Sequence, residues 1–217
     1  MKKLNKYCSG LFLTLVTLAT APLELHADNK NGQDLNDLSY IEMINSVPLG
    51  KASELVQKFQ MKEAQNRLLN GKYNPKGECS VETMRNKEVI VITIPAHLLF
   101  GPNSTELSDK AGDYLSPLRR YVKGNDTYRV LLLMHTDNTG SEKYREELTM
   151  NRVDAIYEWF EDEGLDTHFL FPYALGDENP LVENNSMENR DKNRRLEVYL
   201  VPGEGMLEQA KKGRIAF

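Results

Sequence analysis

The chain has 217 residues, 40% of them apolar and 27% charged, and carries a formal net charge of −5. That length accommodates one domain with extensions. The acidic balance excludes nonspecific binding to nucleic acid, where a basic surface supplies most of the affinity, so an anionic partner must be recognised at a local site.

Lys2, Lys3 and Lys6 precede the apolar run "SGLFLTLVTLATAPL", and "LHAD" offers a cut after Ala27. Residues 1–27 therefore read as a signal peptide, exported and cleaved. The run contains four hydroxyl residues and falls short of the roughly 20 apolar residues needed to span a bilayer. An uncleaved membrane anchor is the alternative. Cleavage would remove Cys8, three lysines and one glutamate, which leaves Cys79 as the single cysteine and takes the formal charge to −7. One cysteine forms no internal disulfide.

Residues 28–40 are polar. The stretch 53–69 reads as a helix, with Leu55, Val56, Phe59, Leu68 and Leu69 on an apolar face and Gly71 as its stop. "NGKYNPKGE" is a turn-rich linker. Residues 28–82 thus form a helical extension and linker. "EVIVITIP" alternates and is β-branched, hence a strand. Residues 108–122 follow as a helix with Ala111, Tyr114, Leu115, Leu118 and Val122 on one face, and Pro117 is a point of kinking. "YRVLLLMH" is a continuous apolar run, as in a strand buried on both faces.

The next helix is predicted to start at Thr149 as N-cap. Val153, Ile156, Tyr157 and Phe160 keep helical spacing and Gly164 ends the pattern, which puts Arg152 in the first turn. "HFLFPYAL" reads as a third strand and "RRLEVYLV" as a fourth, with "NSMENRDKN" between them as a short helix or turn. "GMLEQAKKGRIAF" makes residues 204–217 a helical tail. Alternating strands and helices within residues 83–203 imply an α/β domain with helices covering a sheet.

Asp137 follows the end of a strand, where such sheets place ligands, and "NTGS" after it exposes backbone donors. Asp137 and Arg152 present two alternatives. They pair with each other or with water, which contributes little, or they stand apart for a ligand with an ammonium and a carboxylate on one carbon, the carboxylate being suited to a guanidinium. Catalysis finds less support. His97, His135 and His168 are scattered, no HExxH or CxxC spacing occurs, and no serine or cysteine sits in a nucleophile turn. The expectation is a non-enzymatic protein without metal or cofactor.

The order of residues resembles the OmpA-like C-terminal domain, a peptidoglycan-binding family. The matching positions are Phe100 with Asn103 and Ser104; His135, Thr136, Asp137, Gly140 and Ser141; Tyr144, Leu148, Thr149 and Arg152; Gly176 and Pro180; and Asn193, Arg194, Arg195, Leu196 and Glu197. The resemblance implies an α+β sandwich built on a mixed four-stranded sheet. It also implies noncovalent binding of peptidoglycan through the diaminopimelate of its stem peptide. Asp137 would hold the ammonium and Arg152 the carboxylate. Asn103 would contact the peptide with Thr136 and Leu148 beside it, and Arg194 would order the pocket.

Three positions depart from the family pattern: Arg145 stands where it has Asn, Met134 where it has Gly and Val153 where it has Ala. Arg145 removes an amide the family uses in the pocket and is expected to add a charge near Arg152 that competes for the carboxylate, with lower affinity or a changed stem-peptide preference as the result. The resemblance implies a periplasmic location at the outer membrane or wall. An envelope scaffold with a weakened pocket, recruiting another envelope protein through residues 28–82, and a stator-like anchor with an uncleaved helix are the alternatives.

Overall fold

Every side chain of Tyr128–His135 is buried, Arg129 and His135 included. In the computed structural model, which describes residues 34–46, 50–69 and 77–216, this strand (β3) lies inside a mixed sheet. Its companions are β1 (Ser80–Met84), β2 (Val89–Pro95), β4 (Leu170–Ala174) and β5 (Arg195–Pro202), in the order β1-β2-β5-β3-β4. Only β3 and β4 run parallel; the other pairs are antiparallel. The helices are α1 (Tyr40–Asn45), α2 (Ser53–Glu63), α3 (Ala111–Leu115), α4 (Glu142–Asp162), α5 (Met187–Asn193) and α6 (Glu204–Lys211).

The mixed α+β class agrees with the expectation, but the sheet has five strands rather than four. The added strand, β1, pairs Ser80–Met84 with Val89–Thr93 through a turn in which Arg85, Asn86 and Lys87 all have positive φ. It lies at the sheet edge and alternates between exposed and half-buried positions. So short and polar a stretch gives little apolar signal, and it reads as linker. A boundary at residue 83 would cut this strand.

The two faces of the sheet are buried differently. On one, Ile90, Ile92, Val130, Leu132, Val198 and Leu200 pack against Val56 of α2, Leu115 of α3, Ile156 and Phe160 of α4, and Met206 of α6. On the other, Val89, Leu131, Leu133, Phe171 and Val201 meet Leu35, Leu38, Met43 and Ile44. Period-2 alternation in β3 sends even and odd residues to opposite faces, so both faces need a cover, and residues 35–44 are the second. Ser39 caps α1 and exchanges hydrogen bonds with Glu42 in a capping box. Polar ties secure the segment: Tyr173 Oη donates to the Leu38 carbonyl at 3.0 Å, and Arg129 Nη1 donates to Ser46 Oγ at 2.6 Å.

Pro117 falls where α3 gives way to a 3-10 turn over Ser116–Leu118, the expected kink. Cys79 is half-buried, and burial together with Glu78 pushes its thiol to about 11, so it presents no thiolate near neutrality. The expected signal peptide and its cut after Ala27 lie outside the described residues. Among the described residues no helix is long and apolar enough to cross a membrane.

Candidate functional site

The C-terminal end of β3 runs into the loop that carries Thr136 and Asp137. The Thr136 amide donates to the Gly176 carbonyl at 2.7 Å, which ties the start of this loop to the loop after β4. Asp137 is 3% exposed. Its Oδ1 accepts from the Thr139 amide at 2.7 Å, an Asx turn, and its Oδ2 accepts from Arg194 Nη1. Burial pushes the Asp137 carboxyl up, but the Thr139 side chain, then Arg194 and the Thr139 amide, outweigh it, so the group sits below its ordinary value and is ionised at neutral pH. Arg194 is the C-cap of α5, and its Nη2 donates to Asp191 Oδ1 at 2.9 Å.

Opposite stands α4, which begins eight residues earlier than its apolar pattern suggests. Ser141 is the N-cap, its hydroxyl accepting from the Tyr144 amide at 3.2 Å. Thr149 lies inside the helix instead: its hydroxyl turns back to the carbonyls of Arg145 and Glu146 and accepts from the Gly176 amide. Arg152 is therefore three turns into α4 and gains nothing from the free amides of a helix start. The first two turns are mostly exposed, and hydrophobic spacing reports burial rather than helix.

Arg152 is held by the loop after β2. Nε donates to the Ser104 carbonyl at 2.8 Å and Nη2 to the Gly101 carbonyl at 3.4 Å, while the guanidinium lies 4.9 Å from the centre of the Phe100 ring. Burial holds Arg152 below the ordinary arginine range; Tyr144 opposes the shift and Arg194 adds to it. Among the described residues no carboxylate forms an ion pair with Arg152, and its Nη1 makes no hydrogen bond. Leu148, buried, precedes Arg152 by one turn on the same face of α4.

Asn103 has a φ of 55°, and its Oδ1 accepts from Tyr144 Oη at 3.4 Å. The Tyr144 ring reaches over Gly140, where a Cβ would lie 2.8 Å from Cδ1, and the φ of 88° there also requires glycine. Asp137 and Arg152 thus do not pair with each other. Arg194 bonds the first and bears electrostatically on the second, which relates the three charged groups; of the other candidates, Thr136 adjoins Asp137 in the chain, Leu148 lies one turn before Arg152, and Asn103 is bonded by Tyr144. The sequence assigns these six residues to the candidate site, whereas Thr139, Tyr144 and Asp191, which bond to members of it, carry no such assignment. Thr139 stands in the quoted "NTGS" turn and Tyr144 in the family pattern; Asp191 has no signal in the sequence.

Arg145 turns to Asp177 and Gly140. Its Nε donates to Asp177 Oδ1 at 2.7 Å and its Nη1 to the Gly140 carbonyl at 2.7 Å. The charge of Arg145 is matched by Asp177, and the side chain braces the loop that follows Asp137.

His135 lies beneath the site, its Nδ1 3.1 Å from the Glu178 carbonyl and its buried Nε2 3.8 Å from Glu197. Burial, then Arg195, lowers its pKa from 6.5 to about 4, against the pull of Glu197 and the Glu178 carbonyl. The unfolded chain then takes up this proton before the folded protein does. The stabilisation is fully present above pH 6.5 and is lost as pH falls towards 4. The lowered pKa of Glu197 acts with the same sign at lower pH. Denaturant titrations between pH 7 and 4 should show the decline, and His135→Asn should flatten it. An equal slope in the variant would assign the loss to other groups.

Comparison with known proteins converges on this region. Residues 99–194 match the model of the OmpA family. Over 107 residues the chain is 30% identical to the outer-membrane lipoprotein YfiB of Pseudomonas aeruginosa, covering 49% of this chain and 63% of that protein. It is 28% identical over 103 residues to the peptidoglycan-binding protein ArfA of Mycobacterium tuberculosis, covering 48% of this chain and 32% of the other. The chain thus matches less than two thirds of the length of either relative. The fold is that of a MotB-like protein from Desulfovibrio vulgaris, with a TM-score of 0.59 and 24% identity over 70% of this chain and 98% of the other.

Proposed function

We propose, from the premise that residues 99–194 form an OmpA-family domain, that this protein anchors to peptidoglycan by noncovalent binding in the bacterial envelope. It works as a binding module without catalysis, on the periplasmic side and attached to the outer membrane or wall. The observation that carries the reading is a buried carboxylate and a buried guanidinium left unpaired with each other. Asp137 keeps acceptor capacity beyond its two bonds, and Arg152 keeps an uncommitted Nη1. Arg194 offsets part of the desolvation cost of Asp137, whereas among the described residues no carboxylate offsets that of Arg152; a ligand bearing both complementary charges supplies the missing partner.

The ligand of this description is the side-chain end of diaminopimelate in the stem peptide. Its ammonium joins Asp137 and its carboxylate joins Arg152, a charge-assisted bond at each end. Asn103, Tyr144 and Leu148 border the approach. The exposed flank of α2 is free to meet other envelope proteins. Incubation with purified wall sacculi followed by sedimentation tests the function: the protein should pellet with the sacculi, and Asp137→Asn with Arg152→Ala should remain in the supernatant. A doubly substituted protein that pellets like the wild type would reject this site.

A further inference from the structure

Arg194 divides its guanidinium between two carboxylates. Nη1 goes to Asp137 and Nη2 to Asp191 at 2.9 Å. An arginine facing a single carboxylate commonly commits two parallel N–H groups to it. Here Asp137 receives one from Arg194 and one more from the Thr139 amide, with the Thr139 side chain adding to them. A carboxylate has about four acceptor positions, so Asp137 keeps room for a further donor. The charges argue the same way. An exclusive Asp137–Arg194 pair would be neutral and would offer an ammonium little attraction. With Asp191 as the third member, the trio carries one net negative charge, and Arg152 nearby carries the positive one. Asp191 is half-exposed, and its second oxygen has only a distant neighbour, His97 Nδ1 at 3.9 Å.

We propose that Asp191 is a positioning residue: by holding one arm of Arg194 it keeps the Asp137 carboxylate open to an ammonium group. This rests on the reading of the site given above and names the residue that sets its selectivity for a zwitterion. Without Asp191, Arg194 closes on Asp137 with both arms and competes directly with the ligand amine. The carboxylate half of the site, built from α4 and the loop after β2, is left as it was.

The test uses the full chain, Asp191→Asn and Asp191→Glu. The probes are two soluble stem peptides, one ending in diaminopimelate and one in 2-aminopimelate, which keeps the carboxylate but lacks the amine. Asp191→Asn should weaken diaminopimelate binding about tenfold, equivalent to ~1.4 kcal/mol, and change 2-aminopimelate binding less than about twofold. Asp191→Glu should restore the first. In the ligand-free protein, the carbon-13 resonance of the Asp137 carboxyl should titrate at lower pH in Asp191→Asn than in wild type, because a repelling charge is gone and a guanidinium is fully committed. Equal losses for both peptides would make Asp191 merely structural and overturn the proposal. An unmoved Asp137 titration would overturn it whether or not any peptide binds. Wild-type protein that binds neither peptide would strike the wall-binding reading, and the titration would still decide the role of Asp191.

Discussion

A stem peptide ending in diaminopimelate should bind this protein at least about thirtyfold more tightly than the same peptide ending in lysine. Lysine keeps the amine that joins Asp137 and lacks the carboxylate that joins Arg152. Binding it would cover the buried Arg152 guanidinium and leave the open Nη1 without an acceptor. Loss of one partner of a desolvated charge pair costs roughly 2–5 kcal/mol, which sets the factor. Asp137→Asn preserves the shape of the Asx turn and should lose a similar amount for the diaminopimelate peptide, as should Arg152→Ala. The double variant should lose less than the sum, since one ligand carbon bridges both residues. Arg152 also holds the carbonyls of Gly101 and Ser104, so thermal melting of each variant is needed beside the calorimetric titrations. Equal affinity for the two peptides in the wild type would sink the zwitterion reading and leave the fold untouched.

Residues 83–203 alone should fail to melt cooperatively, whereas residues 34–216 should give a single sharp transition. The sequence suggested the opposite, since the alternating strands and helices lie inside 83–203. The packing argues otherwise on both faces of the sheet. Removing residues 34–46 uncovers Leu131, Leu133, Phe171 and Val201, and loses four buried side chains: Leu35, Leu38, Met43 and Ile44. At roughly 1.5–3 kcal/mol each, their burial is comparable with the ~5–15 kcal/mol net stability of a whole domain.

On the other face, α2 contributes Val56, and the π turn that continues it over Ala64–Leu68 adds two buried residues. Gln60 donates to the carbonyl of Glu88 at 2.9 Å and accepts from Tyr128 Oη at 2.6 Å; Glu63 accepts from Tyr121 Oη at 3.0 Å. These partners vanish with the extension, and buried polar groups that lose a partner cost about 1–3 kcal/mol each. The cut at 203 also removes Met206, Leu207 and Ala210 of α6. Circular dichroism melts of both lengths decide the matter. A sharp transition from residues 83–203 would show that the extension merely decorates a self-sufficient domain.

What the sequence by itself determined were features whose signal is local and dense. β2, β3, β4 and β5 each carry a continuous or alternating apolar run, and burial on one or both faces is why those runs exist. The polar order H-T-D through Arg152 to N-R-R pointed to Asp137, Arg152 and Arg194 as candidates before any geometry, because that order is legible in residue types alone. The tertiary structure decided everything that depends on who stands opposite. Asp137 could pair with Arg152, fifteen positions on, or with Arg194, fifty-seven positions on, and only the meeting of the β3 loop with the end of α5 selects the second. Arg145, a competitor on paper, is taken up by Asp177. The start of α4 was misplaced by eight residues because its first turns face outward and carry no apolar stripe. Residues 35–44 became a cover for the second sheet face because Leu35, Leu38, Met43 and Ile44 are too few and too irregular to announce it, and their value comes from the odd-numbered side chains of β3 that they bury.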